Sequence, residues 1–231
     1  MNQVPDRHPP SRPAGAPGQP QAPDLPGASD MLKSLAARGV MHSYRKGRLL
    51  IEEGDMGDAI YIILAGRLRV FAANPANGRE ITFGTYGPGE YVGEMSLDGG
   101  PRSASVEALE KTECALVTRT TLLAFIGERP EFALELLAKV IARARAATLS
   151  ARQMALNDVY GRLRNLLASM PSTPLAGLAV ITERLTHQDI ANRIGCSREM
   201  VSRVLKDLER GQHVKFIDGR IGLASQLPSR W

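Results

Sequence analysis

The stretch from Thr186 to Glu209, THQDIANRIGCSREMVSRVLKDLE, constrains this chain more than any other. Its spacing predicts two short helices joined by a tight turn. Ile190, Ala191 and Ile194 give the first helix one apolar face. Gly195 falls where that helix must stop, at a position suited to the left-handed backbone that glycine adopts without steric cost. Ser197 can cap the second helix, because its hydroxyl accepts from an otherwise unpaired backbone N–H. Val201, Val204, Leu205 and Leu208 then follow the i, i+3, i+4, i+7 spacing of a buried stripe. Glu199, Ser202, Arg203 and Lys206 fall on the opposite face, with Arg198 on the exposed first turn.

A helical hairpin with such an outer face has the form of a helix-turn-helix, whose second helix enters the major groove. An arginine there can donate two hydrogen bonds to a guanine edge, and a glutamate can accept from the cytosine amino group. The same charges could equally form a solvated face, with Glu199 only a first-turn acid that complements the helix dipole. The candidate DNA-contacting set is Gln188, Ser197, Arg198, Glu199, Ser202, Arg203 and Lys206. Charge agrees with a polyanionic partner: the formal net charge is +5. From Asp158 to Trp231, eleven Lys and Arg against seven Asp and Glu leave +4 on this part.

The segment GCSREMVSRVLKDLE resembles the recognition segment of the cyclic-AMP receptor protein (CRP/FNR) superfamily of bacterial transcription regulators. The resemblance implies base contacts from Arg198, Glu199 and Arg203, TGTGA-like half-sites in an inverted repeat, and RNA polymerase as a partner. It also implies an α+β fold: an N-terminal jelly-roll-like β-roll, a long dimerisation helix and a C-terminal winged helix-turn-helix. On that pattern the chain divides into a tail (1–29), a cyclic-nucleotide-binding domain (30–130), a dimerisation helix (131–157) and a DNA-binding domain (158–231).

Residues 1–29 hold eight of the fifteen prolines, so the segment is expected to be a disordered tail. Met31 could serve as an alternative start. Asp30 to Arg38 reads as a short helix that Asp30 can cap. Beyond it the period changes to two: Ile60, Ile62 and Leu64, then Leu68 and Val70, then Ile81 and Phe83. Asn77-Gly78 between two such runs signals a hairpin, and many short strands with regular glycines suggest a small barrel or β-roll.

Tyr91 to Ser105, YVGEMSLDGGPRSAS, carries the candidate ligand chemistry. Gly93-Glu94-Met95-Ser96 can open a short helical turn, and Arg102 follows across a Gly-Gly-Pro turn. A guanidinium with nearby hydroxyls suits a phosphate diester, and a carboxylate suits a ribose hydroxyl; Arg102 and Glu94 could instead form a plain salt bridge. Gly93, Glu94, Ser96, Leu97, Arg102, Ser103 and Ala104 resemble the phosphate-binding cassette of cyclic-nucleotide-binding domains. That resemblance implies Arg102 and Ser103 on the cyclic phosphate and Glu94 on the ribose 2′-hydroxyl.

Pro130 to about Asn157 predicts one long helix, free of internal proline and glycine. Ala133, Leu137, Val140, Ala144, Ala147, Ala151 and Met154 form a heptad seam, which suits a parallel homodimer. A single amphipathic helix packed on its own domain is the other reading. Where relatives that bind cyclic AMP carry Thr-Ser to hold the adenine from both subunits, this chain has Ala147 and Thr148. Arg143 matches a position near the phosphate pocket. The expected ligand set is therefore Gly93, Glu94, Met95, Ser96, Arg102, Ser103, Arg143 and Thr148, with cyclic AMP as effector. The loss of a hydroxyl at Ala147 leaves cyclic di-GMP, or an empty pocket in a constitutive DNA binder, as alternatives.

Leu163, Leu166, Leu167 and Met170 predict a further helix, Pro171 to Gly177 a loop, and Leu178 to Ile181 a strand. Val214–Phe216 and Ile221–Leu223 predict a wing hairpin, on which His213 and Lys215 could touch phosphates or merely face solvent. Cys114 and Cys196 lie far apart with no metal-ligand spacing, which predicts free thiols, no metal and a reducing cytoplasm. With no cysteine before Cys114, the N-terminal iron–sulfur cluster of some superfamily members is not expected. No apolar run of transmembrane length is present, and no nucleophile–base pairing or phosphate-binding GxxxxGK loop points to an enzyme.

Overall fold

A computed structural model describes residues 25, 27–175, 177–224 and 227–228. The first part is a helix, α1 (Asp30–Ala36), followed by eight strands: β1 (Val40–Tyr44), β2 (Leu49–Ile51), β3 (Ala59–Ala65), β4 (Leu68–Ala73), β5 (Glu80–Tyr86), β6 (Tyr91–Val92), β7 (Ser105–Ala108) and β8 (Thr112–Thr118). A 3-10 turn, Glu94–Ser96, sits between β6 and β7. The strands form two antiparallel four-stranded sheets, ordered β1-β8-β3-β6 and β2-β7-β4-β5.

The period-two pattern explains the layering. On β3, Ile60 and Ile62 point to one face and Ile63 to the other, and all three are completely buried. Ile63 joins Ile51, Leu68, Val92, Val106 and Cys114 between the two sheets. Ile60 and Ile62 instead meet α1, α2 (Arg119–Glu128) and the start of α3 through Leu32, Leu35, Phe125 and Phe132. The β4–β5 hairpin closes over Asn74–Arg79, with Gly78 at φ 65°, as Asn77-Gly78 predicts.

Two expectations at the N-terminal end change. Ser29, not Asp30, caps α1, accepting from Leu32 N at 3.0 Å. The expected disordered tail lies outside the described residues at 1–24 and 26, whereas Leu25 is fully buried in the core beside α1.

Helix α3 spans Glu131–Leu156, 26 residues, of which only Phe132 is buried. Its anchor is an edge-to-face contact of Phe132 with Phe125, centroids 5.3 Å apart; a buried phenylalanine contributes about 1.5–3 kcal/mol. Leu134 is 70% and Leu137 53% exposed, and Val140 and Ile141 are exposed beside them. Among the described residues nothing covers this apolar face. The lower half of the expected seam differs, because Ala147, Ala151 and Met154 line a cavity of this same chain.

Asp158 caps α4 (Val159–Ser169), accepting from Gly161 N at 2.7 Å. The segment expected as a loop contains a strand, β9 (Ser172–Leu175), paired with β10 (Leu178–Ile181). Its four residues are all exposed, so no apolar alternation announced it. α5 (His187–Ile194) and α6 (Arg198–Arg210) form the helix-turn-helix, and β11 (Val214–Ile217) with β12 (Arg220–Leu223) form the wing. Thr186 and Asp189 build a reciprocal capping box on α5, and Gly195 ends it at φ 67°, ψ 45°. Ile190, Ile194, Val201, Leu205 and Leu208 meet Leu163 and Leu167 of α4 in one core.

Candidate functional site

Two surfaces hold the candidate residues, and the first is a cavity of about 600 Å³ between β5, the 3-10 turn and α3. Gly93, Glu94, Met95, Ser96, Arg102, Ser103 and Arg143 all line it. Thr148 does not: it stands exposed on α3 and its hydroxyl donates to Ala144 O at 3.0 Å. One residue earlier, Ala147 faces the cavity. At ~100° per residue, the α3 residues that line the cavity, Ala146, Ala147, Ser150 and Ala151 among them, span less than half a turn, and Thr148 falls outside that arc.

Arg102 is 7% exposed and its guanidinium is held on three acceptors. It donates to Gly93 O at 2.8 Å, Ser96 Oγ at 2.7 Å and Ala59 O at 2.9 Å. Two glycines make this possible. A Cβ at Gly57 would lie 2.7 Å from Arg102 Nη2, and one at Gly93, whose φ is +93°, would lie 2.8 Å from Nη1. Gly57 and Ala59 were not singled out in the sequence; only the glycine density around Gly54 and Gly57 hinted at them.

The salt bridge considered between Arg102 and Glu94 does not form. Glu94, 8% exposed, pairs with Arg143 of α3, Nη1 to Oε2 at 2.5 Å. Arg143 also donates to Tyr91 O at 2.5 Å and lies 4.6 Å over the Tyr86 ring. Burial opposes the charge on Arg143, but the Glu94 hydrogen bond and charge outweigh it and hold the guanidinium above its ordinary value. Burial also pushes the Tyr91 hydroxyl up to about 12. The cassette thus presents a fixed cation, a hydroxyl at Ser103 and a carboxylate whose partner comes from the long helix. Such an arrangement can hold an anionic ester and a vicinal hydroxyl together.

The cavity continues past the cassette. Arg162, Asn165 and Ser169 of α4 and Arg193 of α5 line its far end. Arg162 joins these elements, donating to Ile194 O at 2.8 Å and to Asn157 O at 2.9 Å. Arg193 is occupied by Glu183, at 2.6 Å.

The second surface is the outer face of α6. Arg198, Glu199, Arg203 and Lys206 are exposed there, and Gln188 is exposed on α5. A hydrogen bond from its own backbone N–H and a second from the Ser197 hydroxyl hold the Glu199 carboxyl below its ordinary value. Ser197 is the helix cap, accepting from Met200 N at 3.2 Å. Ser202 is engaged inside the fold: its hydroxyl donates to Arg198 O at 3.0 Å and lies 2.7 Å from His187 Nδ1. Each serine therefore uses its hydroxyl hydrogen inside the fold and keeps only an acceptor lone pair for an outside partner. His213 directly precedes the wing and Lys215 stands exposed on its first strand, β11.

Among the described residues, no helix is long and apolar enough to cross a membrane. Nor do these residues contain a group of three or more His, Cys, Asp or Glu side chains placed to hold a metal ion.

Comparison with known proteins follows this geometry. Residues 41–129 match the family model of the cyclic nucleotide-binding domain, and residues 184–211 that of bacterial regulatory proteins of the crp family. The chain is 35% identical over 179 residues to the cyclic AMP receptor protein of Thermus thermophilus, covering 77% of this chain and 81% of that protein. It is 31% identical to the CRP-like cAMP-activated global transcriptional regulator of Mycobacterium tuberculosis, covering 71% and 75%. In fold it is similar to the c-di-GMP-responsive global regulator CLP of Xanthomonas campestris, with TM-score 0.75 and 23% identity over 84% of this chain and 98% of that one. The cyclic nucleotide-binding segment and the crp-family segment are the parts that match family models, and the chain belongs to the CRP/FNR superfamily of bacterial transcription regulators.

Proposed function

We propose that this regulator is a homodimer whose affinity for TGTGA-like inverted repeats rises when cyclic AMP fills the β-roll cavity. The observation that carries the reading is the Glu94–Arg143 pair, a sensor carboxylate held by the long helix. A nucleotide that uses Glu94 for its ribose and Arg102 with Ser103 for its phosphate must engage α3 through the same contact. α3 leads directly into α4 and the helix-turn-helix, so a shift of α3 moves the recognition helix. The bare apolar face at Leu134, Leu137, Val140 and Ile141 supports pairing with a second copy. Two recognition helices ~34 Å apart would then enter successive major grooves.

In this dimer Thr148, which faces away from its own cavity, is the hydroxyl offered to the partner's purine. Arg198, Glu199 and Arg203 read bases, while Gln188 and Lys206 complete the interface. A cyclic dinucleotide such as cyclic di-GMP is the second reading. The extension of the cavity to Arg162, Asn165 and Arg193 favours it, because a mononucleotide on the cassette leaves that end unfilled.

The test is a titration onto a fluorescent TGTGA inverted-repeat duplex at fixed salt, without nucleotide and then with cyclic AMP, cyclic GMP or cyclic di-GMP. Salt is held fixed because phosphate contacts dominate DNA affinity. Tightening by cyclic AMP alone is expected. Equal binding under all conditions would refute nucleotide control, and a response to cyclic di-GMP alone would replace the effector.

A further inference from the structure

Helix α5 carries one buried polar side chain, Asn192, which is 7% exposed and faces β5. Both ends of its carboxamide are used. Nδ2 donates to Glu80 Oε2 at 3.2 Å, and Oδ1 accepts from Gln188 Nε2 at 2.7 Å. Behind Glu80 stands Arg69, 2.7 Å from the same oxygen and 2.8 Å from Glu107 on its other arm. The Arg69 guanidinium lies 4.1 Å above the Phe71 ring. Beside Glu80, Arg79 donates to Gly195 O at 3.2 Å and ties the β4–β5 hairpin to the helix-turn-helix turn.

Direction in this relay is set at one end. A carboxylate only accepts, so the Asn192 atom facing Glu80 must be its NH2 group. Asn192 Oδ1 then faces Gln188 and also only accepts, so Gln188 must turn Nε2 toward it. With Nε2 turned inward, the carbonyl oxygen of Gln188 is the end directed to an outside partner; it accepts no hydrogen bond among the described residues, and one Nε2 hydrogen beside it also stays unused.

We infer that Glu80, on the β-roll hairpin, is a positioning residue for base readout: through Asn192 it makes Gln188 present an acceptor to the major groove. An outward acceptor pairs with an exocyclic amino group, adenine N6 or cytosine N4, and finds no partner in phosphate oxygens or the guanine edge. The inference rests on Gln188 being a DNA contact, as proposed above. A residue 112 positions upstream of Asn192 and on the other module then influences which base is preferred.

The test is a base-substitution scan of the TGTGA half-site with the full chain and cyclic AMP at fixed salt. The variants are Glu80→Ala, Asn192→Ala, Gln188→Ala and the pair Glu80→Ala with Gln188→Ala. Glu80→Ala removes the oxygen that Asn192 and Arg69 share, so the bias is lost while Arg69 keeps Glu107. Asn192→Ala breaks the relay without touching Arg69, which guards against a folding defect in the first variant.

Gln188→Ala is expected to reduce discrimination at one base pair by roughly fivefold, the scale of one neutral hydrogen bond. Glu80→Ala and Asn192→Ala are expected to act at that same pair, with the salt slope unchanged and the double variant no worse than Gln188→Ala. Uniform weakening at every position, or an additive double variant, would reduce Glu80 to a structural contact and overturn the inference. No positional effect of Gln188→Ala would also overturn it, by removing Gln188 from the readout, while the nucleotide-controlled regulator would stand.

Discussion

Arginine and glutamate occur both in the cavity and on the recognition helix, under opposite conditions. In the cavity Arg102 is 7% exposed and held on three acceptors, and Glu94 is sealed against Arg143. On α6, Arg198, Glu199 and Arg203 stand in solvent. A buried charge must be partnered by the protein itself, because removing its partner leaves it desolvated and unpaired. An exposed charge is partnered by water, which a DNA base or phosphate can replace at little cost. The cavity charges are therefore part of the fold, whereas Arg198 and Arg203 on α6 meet only solvent among the described residues and Glu199 is held only by its own helix cap.

Breaking the contrast at its stronger end gives the largest expected effect. Arg143→Met leaves Glu94 buried without its cation and is expected to destabilise the protein by about 3–5 kcal/mol, the cost of breaking a buried pair. Urea denaturation of the variant against the parent protein measures this, and an unchanged midpoint would show that Glu94 finds another partner. Next comes Arg102→Leu, which removes charge-assisted hydrogen bonds contributing about 1.5–3 kcal/mol each to a bound phosphate. Nucleotide affinity by calorimetry is expected to fall at least about a hundredfold, with the oligomeric state unchanged. Full affinity would place the ligand elsewhere.

At the exposed end, Arg198→Ala is expected to reduce discrimination at one guanine by roughly 1–3 kcal/mol while leaving stability within error. Equal weakening on all sequences would instead make Arg198 a phosphate contact. Thr186→Ala removes the cap of α5 and is expected to cost about 1 kcal/mol in thermal stability.

The smallest effect concerns pH. Burial pushes the Cys114 thiol from 9.0 up to about 12. Between those values the unfolded chain loses this proton and the native chain keeps it, so its contribution is full below pH 9 and declines as pH rises toward about 12. Cys114→Ala is expected to flatten that alkaline decline in a pH series of unfolding midpoints; an identical slope would assign it to other groups.

Much of the fold was legible because it is written locally. The stripe Val201, Val204, Leu205 and Leu208, the stop at Gly195 and the cap at Ser197 depend on neighbours within a turn or two. The Gly93 to Ala104 loop was singled out by its resemblance to the phosphate-binding cassette, because its residues taken alone equally allowed a plain salt bridge. Strand β9 was missed because its exposed residues carry no alternation, and pairing with β10 alone makes it a strand. Ser202 was read as a base contact because helical spacing gives its face. The hydrogen bond to His187, on another helix, redirects its hydroxyl.

The sequence by itself determined where α3, α5 and α6 begin and end and which faces of α5 and α6 are apolar. These follow from backbone sterics and i±3 to i±4 side-chain spacing. Only the tertiary structure decided that Glu94 pairs with Arg143 rather than Arg102, that Ala147 and not Thr148 faces the cavity, and that Asn192 joins Glu80 to Gln188. Those outcomes depend on how α3 and α5 are rotated against the β-roll. Rotation is tied to the packing of Phe132 on Phe125 and to the hydrogen bonds of Arg79 to Gly195 O and of Asn192 to Glu80, contacts between residues that local periodicity cannot bring together.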